Sequence, residues 1–292
     1  MRKERNLNQL RNIEFIGNFS QYAEGSCLVK FGNTHVLCTA SLDQSVPRWL
    51  KGQDKGWVTA EYGMLPRATH DRVSREAKKG QQSGRTQEIQ RLIGRSLRAI
   101  VDPTLFKEMQ ILIDCDVIQA DGGTRTAAIS GAFIALHHCF KSMIERKIIK
   151  KNPIIENLAA ISCGVISQSC YLDLDYHEDQ SADVDSNFVI TESQKLVEIQ
   201  VTSEGKICEE SQFNKLLDFN LSVVTEKSQT TRDSIKGIIT TDKYQIILSD
   251  TPGHVESSYL LHDKMNKNIY SSLEGSDLIL YVTDTREKKI NQ

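Results

Sequence analysis

Near the start of the chain, apolar residues alternate with polar ones or form short apolar runs, which is the pattern of β-strands. Ser26–Phe31 and Thr34–Ala40 are two such segments, and Gly32-Asn33 between them is a turn signal for a β-hairpin. Trp57–Tyr62 has the same character. This part of the sequence therefore predicts a hairpin followed by a further strand.

Two longer segments carry apolar residues at helical spacing, so that one face of each helix would be buried. Asp102-Pro103 stops the first helix, because the residue before proline disfavours the helical conformation. An apolar strand, Gln110–Ile118, separates the two helices. The predicted buried faces are Ile89, Leu92, Ile93, Leu97 and Ile100 in the first helix, and Ile129, Ala132, Phe133, Leu136, Phe140, Met143 and Ile144 in the second.

Strand patterns return in the second half of the chain and indicate an α+β fold with mixed or antiparallel sheets. The predicted elements are strands at Leu158–Ser167, Cys170–Asp175, Asn187–Ile190 and Leu196–Val201, followed by a short helix over Glu209–Leu217. From Ser222 onward the chain changes character. Further strands are predicted there at Lys236–Thr240, Tyr244–Ser249 and Leu278–Val282.

Composition places the chain among ordinary soluble globular proteins. Of its 292 residues, 39% are hydrophobic and 25% are charged, and the net charge of -2 means that any nucleic-acid contact must come from a local basic patch. The seven cysteines form no C-x-x-C pair, which indicates buried free thiols in a reducing compartment. No apolar stretch has the length of a membrane span, and we expect a cytoplasmic protein with no membrane partner.

The turn Asp121-Gly122-Gly123 before the second helix is a candidate site for an oxyanion. Glycines allow a tight turn, and the N-terminus of the following helix offers free N–H groups with a partial positive charge. Thr124 adds a hydroxyl and Arg125 a forked cation, so the group suits phosphate. A plain turn with Thr124 as the helix N-cap explains the same residues equally well on local sequence.

Two further signals point to phosphoryl chemistry. Arg85 stands just before the first helix, where a cation opposes the helix dipole, and this indicates a nearby anion only weakly. Carboxylates are dense farther along the chain and either share a cation or form a solvated acidic loop. They are Asp173, Asp175, Glu178, Asp179, Asp183 and Asp185, and their spacing excludes an EF-hand. Phosphate-binding groups with a carboxylate-held Mg²⁺ suit phosphoryl transfer.

The motifs around these residues resemble those of bacterial ribonuclease PH, in order, from about residue 5 to residue 210. The stretches that carry the resemblance are His35–Ser41, Gly56–Arg67, Gly84–Leu92, Asp114–Ala127 and Glu198–Gly205. The resemblance implies an α+β fold similar to the second domain of ribosomal protein S5. It also implies a phosphate-dependent 3′-to-5′ exoribonuclease that trims tRNA precursors, and rRNA 3′ ends as further substrates. Such enzymes release nucleoside diphosphates and form homo-oligomeric rings, typically trimers of dimers.

The same resemblance implies roles for individual residues. Inorganic phosphate, the co-substrate, is matched to Arg85, Gly123, Thr124 and Arg125; catalysis and Mg²⁺ to Asp179 and Asp185; and the RNA path to Arg67, Arg72 and Arg75. Two positions depart from the family pattern, Val201 in place of glycine and Ser186 in place of methionine. A Cβ at residue 201 is expected to crowd a tight backbone.

The tail resembles part of the Era ribosome-assembly GTPase family. Val223–Arg232 resembles the switch I region of that family, Ser249–Gly253 its switch II motif and Asp277–Thr283 the next strand. The tail contains neither the P-loop that holds nucleotide phosphates nor the guanine-reading N-K-x-D motif. We therefore expect a ribonuclease PH domain over residues 1–210 and, over residues 211–292, a partial GTPase-like α/β tail that does not bind GTP.

Three classes of function are compatible with these resemblances. An active phosphorolytic exoribonuclease is favoured, because the five matched residues Arg85, Thr124, Arg125, Asp179 and Asp185 are all present. A catalytically impaired RNA-binding ring subunit, or a degenerate fusion product, is the alternative. A GTP-driven ribosome-assembly factor is disfavoured by the missing P-loop.

Overall fold

The computed structural model describes residues 2, 5–203, 206–224, 235–240 and 245–250. The chain divides by contacts into two units, residues 1–224 and residues 225–292. Every residue that the sequence assigns to a site lies in the first unit.

The first sheet has five strands: β1 (Ile13–Gly17), β2 (Gly25–Phe31), β3 (Thr34–Asp43), β4 (Trp57–Met64) and β5 (Gln110–Gln119). Their order across the sheet is β1-β2-β3-β5-β4, and neighbours are antiparallel except for the parallel pair of β4 and β5. Gly32, with φ of 55°, joins β2 to β3, which confirms the predicted hairpin. The strand predictions in this region are confirmed.

The second sheet has four antiparallel strands: β6 (Leu158–Ile166), β7 (Ser169–Leu172), β8 (Val184–Thr191) and β9 (Leu196–Ser203). Their order is β7-β6-β8-β9. Residues of β6 and β8 are almost all buried, because these central strands are covered on both faces. Asp185, the second residue of β8, is partly buried and lies opposite Gly164 of β6.

In the described part of the chain, five α-helices accompany the sheets: α1 (Glu76–Lys79), α2 (Gly84–Arg98), α3 (Thr124–Glu145), α4 (Tyr176–Ser181) and α5 (Glu210–Val224). Helix α3 contacts β2 and β3 of the first sheet and β6 of the second, so it is buried on most of its circumference. It is long and apolar enough to cross a membrane by composition, but 67% of that segment is buried inside the fold, as in the core helix of a soluble protein. Of its predicted buried face, only Ile144 is partly exposed.

Helix α5 is longer than predicted. It runs to Val224 rather than ending near Leu217, and it contacts β6, β7 and β8. Leu216 is fully buried, and the ring of Phe213 lies 6.4 Å from that of Phe188. The first compact unit therefore continues past residue 210 through this helix.

One strand prediction is wrong at its end. The strand predicted over Cys170–Asp175 stops at Leu172, and Asp175 instead caps helix α4. The Asp175 side chain accepts a hydrogen bond from the Glu178 N–H at 2.9 Å, and Glu178 accepts one from the Asp175 N–H at 3.1 Å. This reciprocal pair is a capping box, and its spacing was readable in the sequence.

The cysteines are free thiols and nearly all are buried, as predicted. All seven cysteines are free and six are buried.

In the second unit, β10 (Ile235–Thr240) pairs with β11 (Gln245–Asp250) as an antiparallel hairpin, which confirms the first two strand predictions there. The strand predicted at Leu278–Val282 and most of the two switch-like stretches lie outside the described residues.

Close packing of α3 on the first sheet gives a stability prediction. A Cβ on Gly131 would stand 2.5 Å from Val29 Cγ1 and 2.8 Å from Cys38 Sγ. We expect Gly131→Ala to lower the free energy of unfolding by about 1–3 kcal/mol through overpacking, measured by urea denaturation. The control is Gly94→Ala in α2, where a Cβ would crowd only the end of the Arg98 side chain, 2.8 Å from Nη1, and would lie at ordinary contact distance, 3.8 Å, from the Ala60 nitrogen. Equal effects at the two sites would contradict this account of the core.

Candidate active site

The turn Asp121–Gly123 between β5 and α3 is called the glycine turn below. Gly122 has φ of 72° and Gly123 φ of 64°, a region of conformation that favours glycine. A Cβ on Gly122 would also stand 2.5 Å from the carbonyl oxygen of Leu174. Gly123 is the N-cap of α3 and no side chain caps the first turn, so the alternative of Thr124 as an N-cap is wrong. The N–H groups of this helix end therefore lie at the candidate phosphate site.

Thr124 is held from the first sheet. Its side chain is buried, and its Oγ1 accepts a hydrogen bond from the Tyr62 hydroxyl at 3.0 Å. Burial raises the pKa of Tyr62, while the Thr124 hydrogen bond and the charges of Arg85 and Arg125 act in the opposite direction. Tyr62 thus remains a hydrogen-bond donor near two guanidinium groups. Sequence reasoning did not name it, although its alternating position in β4 marked it as buried.

Arg125 carries the most specific signal in the structure. One terminal nitrogen, Nη2, contacts Glu88 Oε2 at 3.2 Å, and Glu88 Oε1 accepts from the Gln200 amide at 3.1 Å. The Arg125 Nε is buried and finds no hydrogen-bond partner in the part of the chain that the structure describes. An unpaired buried donor costs about 1–3 kcal/mol, so this group favours an anionic ligand.

The guanidinium group of Arg125 and the carboxylate of Asp185 line the same cleft. The cleft has a volume of about 470 Å³ and lies between the start of α3 and the second sheet. Its other lining residues are Glu88, Asn187 and the β9 residues Ile199, Gln200, Val201 and Thr202. A cation and an acid at one cleft match the requirements of phosphate with a metal ion.

Arg85 and the basic loop border this region. Arg85 is the second residue of α2, one turn before Glu88, and its side chain is exposed. The loop arginines Arg67, Arg72 and Arg75 are also exposed. The loop is attached beside the glycine turn, because the N–H of Ala120 donates to the carbonyl of Ala68 at 2.8 Å. Solvent-exposed arginines at this place suit contacts to a polyanion.

The acidic residues do not act as one cluster. Asp173 and Glu178 are paired with arginines of the N-terminal segment, Asp175 caps α4, and Asp183 pairs with Lys206 at 3.2 Å. The two remaining members, Asp179 and Asp185, are the ones that the sequence assigned to catalysis. Neither a shared cation nor a solvated loop describes the other four.

The N-terminal arginines Arg2, Arg5 and Arg11 are the residues that sequence reasoning missed. Their carboxylate partners are 162 to 176 positions away along the chain, so no local pattern linked them. Their one visible signal was that the segment before β1 carries basic residues.

The donor set fits an open metal site rather than a closed cage. Among the described residues, no group of three or more His, Cys, Asp or Glu side chains could hold a metal ion. Mg²⁺ is usually bound through one or two carboxylates, with water and substrate phosphates completing the coordination. Asp179, exposed on α4, and Asp185 on β8 are compatible with that arrangement.

Comparison with known proteins identifies the family. The models of domains 1 and 2 of the 3′ exoribonuclease family match residues 9–141 and 157–223. Ribonuclease PH of Methylocella silvestris is 59% identical over 214 residues, which are 73% of this chain and 90% of that protein. The chain belongs to the ribonuclease PH family. Ribonuclease PH of Maricaulis maris is 55% identical over 78% of this chain and 96% of its own length.

Solved structures support the ribonuclease PH fold. Rice (Oryza sativa) Rrp46 aligns with a TM-score of 0.62 at 20% identity, covering 76% of this chain and 92% of its own. The Archaeoglobus fulgidus exosome with RNA bound to the active site aligns with a TM-score of 0.64 at 21% identity, covering 75% of this chain and 88% of that chain. The α+β prediction is therefore confirmed. As a ribonuclease PH, the chain is a phosphate-dependent 3′ exoribonuclease.

The tail has its own match and overlaps the first unit. A model described as a 50S ribosome-binding GTPase matches residues 211–292, whereas the second exoribonuclease domain continues to residue 223. Both models thus include most of α5. We predicted that the GTPase-like tail begins at residue 211, and this boundary stays a prediction.

The two departures from the ribonuclease PH pattern are accommodated. Val201 lies in β9 opposite Ser186 and is 37% exposed, so the crowding expected at residue 201 is not found. Ser186 is buried, and its hydroxyl donates to the Cys163 carbonyl at 2.8 Å.

The unpaired Nε gives a direct prediction for Arg125. We expect Arg125→Lys to weaken binding of inorganic phosphate by roughly tenfold or more, because lysine keeps the charge but loses the forked donors. Isothermal titration calorimetry measures the change. The control is Arg95→Lys. Arg95 forms a surface ion pair with Glu198 at 2.9 Å, and its substitution should leave phosphate affinity unchanged. Similar losses in both variants would count against a phosphate site at Arg125.

Proposed function

We propose that this ribonuclease PH shortens the 3′ ends of tRNA precursors, and of rRNA as a further substrate, with phosphate held by Arg85, Gly123, Thr124 and Arg125. The observation that carries the proposal is the buried, unpaired Nε of Arg125 at a cleft that Asp185 also lines. Phosphorolysis follows from family membership. The substrate and the roles of individual residues are the proposed part.

In the proposed reaction, an oxygen of inorganic phosphate attacks the phosphorus of the last phosphodiester. The bond from that phosphorus to the 3′ oxygen of the penultimate nucleotide breaks, and the terminal nucleotide leaves as a nucleoside diphosphate. The released 3′ oxygen takes the proton that the attacking phosphate gives up, so the shortened RNA ends in a 3′-hydroxyl. No covalent enzyme intermediate is needed.

The task of the protein in this reaction is to neutralise and align charge. Phosphate is already an anion and needs no strong base, but two phosphates must approach each other. Arg85, Arg125 and the N-terminus of α3 supply positive charge on one side. Thr124, fixed by Tyr62, supplies a hydroxyl in a defined position.

Asp179 and Asp185 would hold the divalent cation, Mg²⁺. When bound there, the cation supplies charge neutralisation for the scissile phosphate. The two residues lie on separate elements, α4 and β8, and water and substrate oxygens would complete the coordination of the cation.

Arg67, Arg72 and Arg75 would contact the RNA backbone. They are exposed on a loop that is hydrogen-bonded next to the glycine turn, which supports a path leading to the cleft. Phosphate contacts of this kind give affinity without reading sequence. Trimming of varied 3′ extensions would follow from that property.

We expect the enzyme to act in the cytoplasm as a homo-oligomeric ring, a trimer of dimers. Related folds come from exosome assemblies, which supports a ring. Exposed apolar residues on and beside β1, including Phe15, Phe19 and Tyr22, provide surface suited to a subunit contact. A ring subunit without turnover is the alternative function, and the retained cleft residues argue against it.

The reaction is tested with a 3′-extended tRNA precursor, with and without inorganic phosphate. We expect trimming only with phosphate, release of nucleoside diphosphates, and loss of at least about a hundredfold in rate for the double variant Arg85→Ala, Arg125→Ala, because two charged contacts are removed. Nucleoside monophosphate as the product, or equal trimming in phosphate-free buffer, would refute phosphorolysis. The control is the variant Lys30→Ala, which removes a surface ion pair with Glu14 and does not alter a residue that lines the cleft.

We further propose that the tail does not bind GTP. No P-loop sequence is present, and α5, the first helix matched by the GTPase model, packs on the second sheet of the exoribonuclease unit. That helix cannot also complete a nucleotide fold in the tail.

Binding of a fluorescent GTP analogue to the full-length chain tests this point. We expect no saturable binding in the micromolar range, in samples that carry out phosphorolysis and are therefore folded. Saturable micromolar binding that unlabelled GTP reverses would show that the tail forms a nucleotide site.

A further inference from the structure

The carboxylate of Asp173 is buried completely, and arginines from the N-terminal segment surround it. Its side chain has 0% exposure, while that of Arg11 has 8% and that of Arg5 has 12%. Arg11 donates to it through Nε at 3.1 Å, through Nη2 at 2.7 Å and through its backbone N–H at 2.7 Å. A buried carboxylate is tolerated only when it is paired in this way.

Arg11 also reaches the glycine turn. Its Nη1 donates to the carbonyl of Asp121, and its Nη2 lies 3.5 Å from the carbonyl of Gly122. Thr34 holds the same carbonyl of Gly122 through its hydroxyl at 2.6 Å. One guanidinium group therefore joins the turn that begins α3 to the β7–α4 connection. Because the carbonyl groups of Asp121 and Gly122 are both hydrogen-bonded, the orientation of the whole glycine turn is fixed.

Arg2 makes a different set of contacts. Its Nε and Nη2 donate to the two carboxylate oxygens of Glu178 at 2.6 and 2.7 Å, and its Nη2 also donates to the Leu172 carbonyl at 2.8 Å. Its guanidinium group stacks over the ring of Tyr171 at 5.3 Å. Glu178 is the partner of Asp175 in the capping box of α4 and directly precedes Asp179. Arg2 therefore holds α4 and has no contact with the glycine turn among the described residues.

We propose that Arg11 and Arg2 are positioning residues with separate tasks, Arg11 for the phosphate subsite and Arg2 for the metal-holding Asp179. The inference rests on the proposed function, because it takes the roles of the glycine turn and of Asp179 from there. Neither arginine touches the reacting atoms. Each acts through a carbonyl or carboxylate that lies one or two residues from a site residue.

Substitution by lysine tests the geometry of these contacts without removing the positive charge. Lysine keeps the positive charge that Asp173 or Glu178 requires, but its single ammonium cannot span the two or three acceptors that each guanidinium group joins. The fold is therefore disturbed less than by alanine, while the geometry is released.

The experiment compares Arg11→Lys and Arg2→Lys in steady-state phosphorolysis of an RNA with a 3′ extension. We expect Arg11→Lys to raise the KM for inorganic phosphate about tenfold, with an unchanged Mg²⁺ concentration for half-maximal activity. For Arg2→Lys we expect the reverse, a several-fold higher Mg²⁺ requirement with an unchanged KM for phosphate. A purely structural role would lower the active fraction, and so kcat, without changing either constant.

The control variant is Arg98→Lys. Arg98 is also partly buried, donates to the Val58 carbonyl at 2.8 Å and stacks on Trp57 at 4.3 Å, but it lies at the far end of α2 from Arg85. We expect both constants to remain at the wild-type values in this variant.

Further variants keep the test decisive if a lysine variant does not fold. Thr34→Val removes the second contact to the Gly122 carbonyl and must raise the KM for phosphate, and Glu178→Gln must raise the Mg²⁺ requirement. Unchanged constants in folded variants would overturn this inference alone. Equal changes of the KM for phosphate and of the Mg²⁺ requirement in both the Arg11 and the Arg2 variants would do the same. A wild-type chain without phosphorolysis would overturn the proposed function as well.

Discussion

The pairing of the buried Asp173 carboxylate with Arg11 and Arg5 is the interaction on which the geometry of the site depends. A carboxylate with no exposure must be paired where it lies, so the N-terminal segment is held across the second sheet. The same Arg11 holds the carbonyl side of the glycine turn. The start of α3, and with it Thr124 and Arg125, is thereby tied to the connection that carries α4.

The cleft is assembled from both sheets and cannot be formed by either alone. The helices packed on the first sheet contribute Arg125 and Glu88, and Tyr62 of that sheet fixes Thr124, the residue before Arg125. The second sheet contributes Asp185 and Gln200, and Gln200 reaches Glu88 across the cleft. A buried donor of Arg125 stays unpaired in this arrangement. The protein thus accepts a local energetic cost at the place where phosphate chemistry requires a cation.

Local patterns were sufficient for most of the fold. Apolar periodicity located α2, α3 and the strands of both sheets, and Gly32 located the first hairpin. Helix α4 was missed, because its six residues are too few for a periodic signal and only the capping box marks it. The C-terminal end of α5 was missed because packing against the second sheet extends the helix. For the site, motifs supplied Arg85, Arg125 and Asp185, whereas Arg2, Arg5 and Arg11 pair with carboxylates more than 160 residues away and leave no local pattern.

A structure determined with inorganic phosphate bound tests the central claim most directly. The account predicts a phosphate oxygen within hydrogen-bond distance of Arg125 Nε, beside the N-terminus of α3, with Arg11 still bridging Asp173 and the glycine turn. It would be contradicted if phosphate bound elsewhere while Arg125 kept its contact with Glu88 and its Nε remained without an anionic partner.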